Sequence, residues 1–109
     1  MNIMHTDAHI TLVYTTFGDI EAAKATAKYL LERKLVACAN FLPITSMYPW
    51  QNQWAEDQET AALFKTTAAC WQEVQKGIKA MHPYTTPCIF KISAEADASF
   101  ASWILAQLR

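Results

Sequence analysis

A chain of 109 residues, 52% hydrophobic with two glycines and four prolines, is long enough to bury one core and too short for two, so residues 1–109 are expected to form a single ordered domain. Nine basic against ten acidic side chains leave a net charge of −1, which supplies no field for a phosphate backbone and argues against nucleic acid as a partner. No stretch approaches the ~20 apolar residues of a bilayer span, and residues 1–9 carry neither a basic start nor an apolar run, so no membrane association and a cytoplasmic location are expected.

Residues 9–16, His-Ile-Thr-Leu-Val-Tyr-Thr-Thr, are rich in β-branched and aromatic types and predict a buried first strand. Gly18 and Asp19 close it, and Asp19 caps a helix whose Ile20, Ala23, Ala27, Leu30 and Leu31 form one apolar stripe opposite Glu21, Lys24, Lys28 and Glu32. Residues 35–48 return to strand character, with Pro43 demanding a bulge, a bend or an edge position. A hairpin turn is predicted around Gln51-Asn52-Gln53, where Asn52 best tolerates a positive φ. The returning strand, 54–66, starts acidic at Glu56, Asp57 and Glu59 and ends apolar at Ala61-Ala62-Leu63-Phe64, so its first half is expected to project from the domain.

A second helix follows from about Thr67, capped by its hydroxyl, with Trp71, Val74, Ile78 and Met81 on one face and Pro83 as its stop. Residues 88–93 make a last strand, and Phe100, Trp103, Ile104 and Leu108 mark a final helix capped by Asp97 or Ser99. The order β-α-β-β-α-β plus a C-terminal helix predicts an α+β ferredoxin-like sandwich, a four-stranded antiparallel sheet with its helices on one face and an extended hairpin between the second and third strands. The helix-free face would then carry Tyr48, Trp50 and Trp54, rings of ~150–250 Å² each, an apolar area that oligomerisation would remove from water.

Chemistry concentrates at His82-Pro83-Tyr84. His82 closes a helix whose dipole favours imidazolium, and its ring suits a metal ligand, a proton carrier, an anion contact or a structural turn. Pro83 and Pro87 stiffen the loop that presents Tyr84, Thr85 and Thr86. Lys65, between Phe64 and Thr66, must reach solvent or meet an acid such as Glu59. His5 and His9 stand four apart ahead of a strand, where that spacing does not align their rings. Cys38, Cys70 and Cys88 lack paired spacing and are expected as packed, reduced thiols; a nucleophile pair of Cys38 or Cys88 with His82 has no supporting motif. Phosphate-loop, HExxH and GxSxG signatures are absent.

Through Ala37-Cys38-Ala39-Asn40, Ser46-Met47-Tyr48-Pro49-Trp50, Glu59, Phe64-Lys65-Thr66, His82-Pro83-Tyr84, Pro87 and Ser102-Trp103-Ile104, the chain resembles the CutA divalent-cation tolerance proteins over nearly its whole length. That resemblance implies a single CutA-like domain in a tight homotrimer, with hairpins reaching across to neighbours and an inter-subunit cleft lined by Trp50, Glu59, Lys65, His82 and Tyr84. It also implies a non-catalytic protein that binds a divalent metal, copper by the family's association, at His82. Met81 stands where some members carry a second histidine, Tyr14 replaces a first-strand cysteine, and Asn52 replaces a glycine usual at the hairpin tip. A thioether at Met81 would favour Cu(I) over Cu(II). The alternative is a small-molecule-sensing or scaffolding trimer like the PII-like regulators, which share this kind of subunit.

Overall fold

The computed structural model describes residues 8–109, so His5 lies outside the described residues. The elements are β1 (His9–Phe17), α1 (Ile20–Glu32), β2 (Cys38–Trp50), β3 (Gln53–Thr66), α2 (Trp71–Met81), β4 (Ile89–Glu95) and α3 (Ala98–Gln107). The strands form one antiparallel sheet in the order β2-β3-β1-β4, as the ferredoxin-like sandwich requires.

Alternation along β1 and β3 divides the sheet into two faces. Val13 pairs with Phe64, Thr15 with Ala62 and Phe17 with Thr60, and this face is buried under α1 and α2. Ala23, Ala27 and Leu30 of α1 and Val74 and Ile78 of α2 complete the core. The two helices approach so closely that a Cβ at Gly77 would stand 2.8 Å from Leu30 Cδ2.

Local chemistry sets the helix ends. The Asp19 carboxylate accepts from the Ala22 N–H at 2.8 Å, and Asp97 accepts from Ser99 N–H at 3.1 Å and Phe100 N–H at 3.2 Å, so Asp97 rather than Ser99 is the last helix's cap. Thr67 does not cap: its side chain makes no bond to the following turn, and a 3₁₀ turn at Ala68–Cys70 precedes α2. At the end of α1, Lys34 N–H donates to Leu31 C=O and Leu35 N–H to Leu30 C=O, both at 3.0 Å, which is a Schellman motif with Lys34 at φ 57°. A left-handed lysine is strained where glycine is not, so Lys34→Gly is expected to raise stability by about 1 kcal/mol, seen as a higher denaturant midpoint. A lower midpoint would show that the unfolded-state entropy of glycine outweighs the strain.

The third helix departs from the expectation of helices on one face. It packs against β1 and β3, with Ile104 fully buried and Phe100 beneath the ammonium of Lys65, whose side chain leaves the sheet opposite to that of Phe64. α3 therefore covers one end of the second face, and Leu42, Phe90 and Ile92 remain exposed on the rest of it.

Pro43 sits on the outermost strand, β2, where its missing N–H costs no ladder bond. The hairpin turns on Gln51 and Asn52, at φ 52° and 64°, and Trp50 pairs with Gln53. β1 covers β3 only from Thr60 onward, so the pairs from Ile44 with Glu59 to Trp50 with Gln53 form a free two-stranded arm. The longest dimension is 57 Å and the radius of gyration 15.5 Å, against about 13 Å for a compact chain of this length. Trp50 and Trp54 are 62% and 79% exposed on this arm. They do not share a face as expected: the two-residue turn pairs Trp54 with Pro49, which sends its ring to the side opposite Tyr48 and Trp50.

Candidate functional site

α2 ends where Pro83 forbids another turn, and His82, the residue before it, takes an extended conformation at φ −79°, ψ 134° while its N–H still bonds Ile78 C=O at 2.8 Å. This conformation turns the ring inward. It is 8% exposed and stacks on Phe17 with centroids 4.5 Å apart. Nε2 lies 2.7 Å from the Thr16 carbonyl oxygen, and Nδ1 lies 3.1 Å from the Tyr84 backbone nitrogen. A carbonyl only accepts and a backbone N–H only donates, so the ring is the neutral tautomer with its proton on Nε2. A metal at His82 would have to displace the Tyr84 N–H, because no other ring lone pair is free.

The same hydrogen bond places Tyr84. Its ring tilts against His82 at 4.7 Å, and its hydroxyl donates to Glu59 Oε2 at 3.2 Å, joining the loop after α2 to the base of the arm. One step further out, the Tyr48 hydroxyl donates to Asp57 across the β2–β3 ladder. Between arm and loop lies an open cleft of about 780 Å³, lined by Tyr48, Trp50, Glu59, Tyr84 and Cys88, with Thr16, Thr85 and Thr86 adding hydroxyls. The bond to Asp57 pushes the Tyr48 phenol up to about 12, so it is a donor throughout the neutral range. Burial and the Glu59 carboxylate raise Tyr84, and burial followed by the Glu59 charge raises Cys88.

Trp50, Glu59 and Tyr84 thus meet in one cleft, with His82 behind it as the support of Tyr84. Lys65 stands apart within the subunit. It pairs with Leu12 of β1, four residues along the strand from Thr16 and so ~13 Å away, and its ammonium lies 5.6 Å from the centre of the Phe100 ring instead of meeting Glu59. Cys38 pairs with Lys65 and shares that remote end. Of the three free thiols only Cys70 is buried; Cys88 is exposed and faces the cleft. The raised Cys88 thiol and the occupied Nδ1 of His82 leave no activated Cys-His pair. Tyr14 stacks on Phe90 at 5.0 Å, and among the described residues no group of three His, Cys, Asp or Glu side chains can hold a metal ion. The residues missed in the sequence are Thr16, Cys88, Tyr48 and Asp57. The turn position carried the signal for the last two, since a register closing at Gln51-Asn52 sets Tyr48 diagonal to Asp57.

The family model described as CutA1 divalent ion tolerance protein matches residues 11–107. The chain belongs to this family. It is 38% identical over 94 residues to the divalent-cation tolerance protein CutA of Thermococcus kodakarensis, a match covering 85% of this chain and 90% of that protein. Among solved structures, the periplasmic divalent cation tolerance protein CutA of Archaeoglobus fulgidus superposes with a TM-score of 0.88 at 39% identity, covering 92% of this chain and 99% of that one. CutA of Synechococcus elongatus PCC7942 reaches 0.89 at 28% identity, covering 94% and 92%. These matches support the sandwich with its long hairpin as a family architecture, and they do not favour the PII-like reading.

Proposed function

We propose that this chain is a subunit of a homotrimer that binds a divalent cation, copper included, in a cleft between subunits, without turnover. The observation that carries the reading is the Glu59 carboxylate facing the cleft under a Tyr84 hydroxyl, with the Cys88 sulfur on the same lining. Oxygen and sulfur donors together suit a borderline transition ion such as copper or zinc. Among the described residues one subunit presents too few donors to close a coordination sphere, so a neighbouring copy or water completes it. Association between copies is supported by the free arm, because an isolated two-stranded ribbon is marginal in water and this one exposes Met47, Trp50 and Trp54. His82 serves by holding Tyr84 over the cleft.

Titration calorimetry of the intact protein with Cu(II) and Zn(II), beside sedimentation equilibrium, tests this reading. Glu59→Gln is expected to weaken binding about tenfold, the weight of one partly screened charge near a protein surface, while leaving the trimer intact. Equal heats from both proteins would exclude Glu59 as the anchor. A monomer at micromolar concentration would exclude the inter-subunit site.

A further inference from the structure

In one subunit, before any neighbouring copy closes it, the cleft of about 780 Å³ is filled only to about a quarter by a hexahydrated ion at roughly 30 Å³ per water. The remaining space is bounded by three aromatic side chains, Tyr48, Trp50 and Tyr84, around one carboxylate, Glu59. Among the described residues no lysine, arginine or histidine lines it. A second carboxylate, Asp57, lies behind the Tyr48 hydroxyl. The charges of Asp57 and Glu59 act on both phenols and that of Asp19 on Tyr84, so the field at this end of the molecule is negative. Aromatic faces beside a carboxylate attract a cation that also has an apolar surface, because the ring quadrupole and the carboxylate act on its charge while the rings cover its alkyl groups. A strongly hydrated metal ion uses only the carboxylate.

We propose that the cleft takes an organic ammonium ion, its alkyl substituents against Tyr48, Trp50 and Tyr84 and its charge opposite Glu59. Thr16, Thr85 and Thr86 offer hydroxyls to a polar extension of such a ligand, which suits a substituted amine larger than the ammonium group alone. This inference rests on the cleft being a cation site, and it changes the class of cation. The arm explains why the ammonium site has only three rings in one subunit: Trp50 stands on the free ribbon, where a neighbouring copy can close the open side.

The test uses the intact protein, with the indole N–H resonance of Trp50 assigned by its loss in Trp50→Phe. Titration with tetramethylammonium chloride at constant ionic strength is expected to shift that resonance saturably. Glu59→Gln should weaken the effect about tenfold by removing the charge partner, and tert-butanol, a neutral molecule of similar shape, should produce no saturable shift. An unmoved resonance, equal binding of tert-butanol, or an unchanged Glu59→Gln titration would each overturn the proposal. A Zn(II) titration of the same sample separates the two readings. Zinc binding without tetramethylammonium binding leaves the metal site standing and removes the ammonium site; the reverse removes the metal reading and keeps this one.

Discussion

Phe17→Ala is expected to destabilise the protein by about 3–5 kcal/mol, the usual cost of deleting a fully buried aromatic ring. Phe17 has no exposed surface, lies in the core cluster with Val13, Leu30 and Ile78, and also carries the stacked His82 ring. Its removal therefore leaves a cavity at the junction of core and cleft. Guanidinium unfolding at one fixed protein concentration would measure the loss, since any assembly makes the midpoint depend on concentration. Phe17→Leu, which keeps most of the volume, should recover more than half of it. A loss below about 1 kcal/mol for the alanine variant would mean that the site collapses around the deletion.

His82→Ala is expected to cost about 2–4 kcal/mol, for a different reason. The imidazole satisfies the Thr16 carbonyl and the Tyr84 N–H together, and each backbone group left unsatisfied costs about 1–3 kcal/mol where water cannot replace the partner. His82→Asn separates the two bonds, since its side-chain oxygen can take the place of Nδ1 but its amide is too short to reach Thr16. This variant should retain the Tyr84 contact and about half of the stability lost by alanine. Amide exchange at Tyr84 reports the difference directly: fast in His82→Ala and slow in His82→Asn. If added Zn(II) or Cu(II) restored the stability of neither variant yet protected the native protein through His82 ring resonances, the histidine would be a ligand and not a support.

Asp19 and Asp97 are legible in the sequence because a cap acts on N–H groups two or three residues away, within reach of any short window. Pro43 is legible as a bulge, a bend or an edge position because its missing donor restricts it wherever the chain goes, and the strand order makes it the edge. The turn at Gln51-Asn52 is legible through its break in the apolar pattern, and it brings the arm with it. Thr67 misled because the hydroxyl suggests a cap, whereas the backbone spends one 3₁₀ turn before α2 begins. Within one subunit Trp50, Glu59 and Tyr84 meet in the cleft, while Lys65 lies over Phe100 at the far end of the sheet.

The sequence by itself determined the element order, the hairpin and the family, and it singled out His82-Pro83-Tyr84, because spacing, turn chemistry and ordered motifs act over short stretches of chain. Only the tertiary structure decided what His82 does there. Its partner Thr16 lies 66 residues earlier, on a strand that packing alone brings against the end of α2. The same holds for α3 on the second face, for Trp54 turned away from Trp50, and for Cys88 opening into the cleft. A side chain's type limits the bonds it can make, but which of them it makes depends on neighbours that folding supplies.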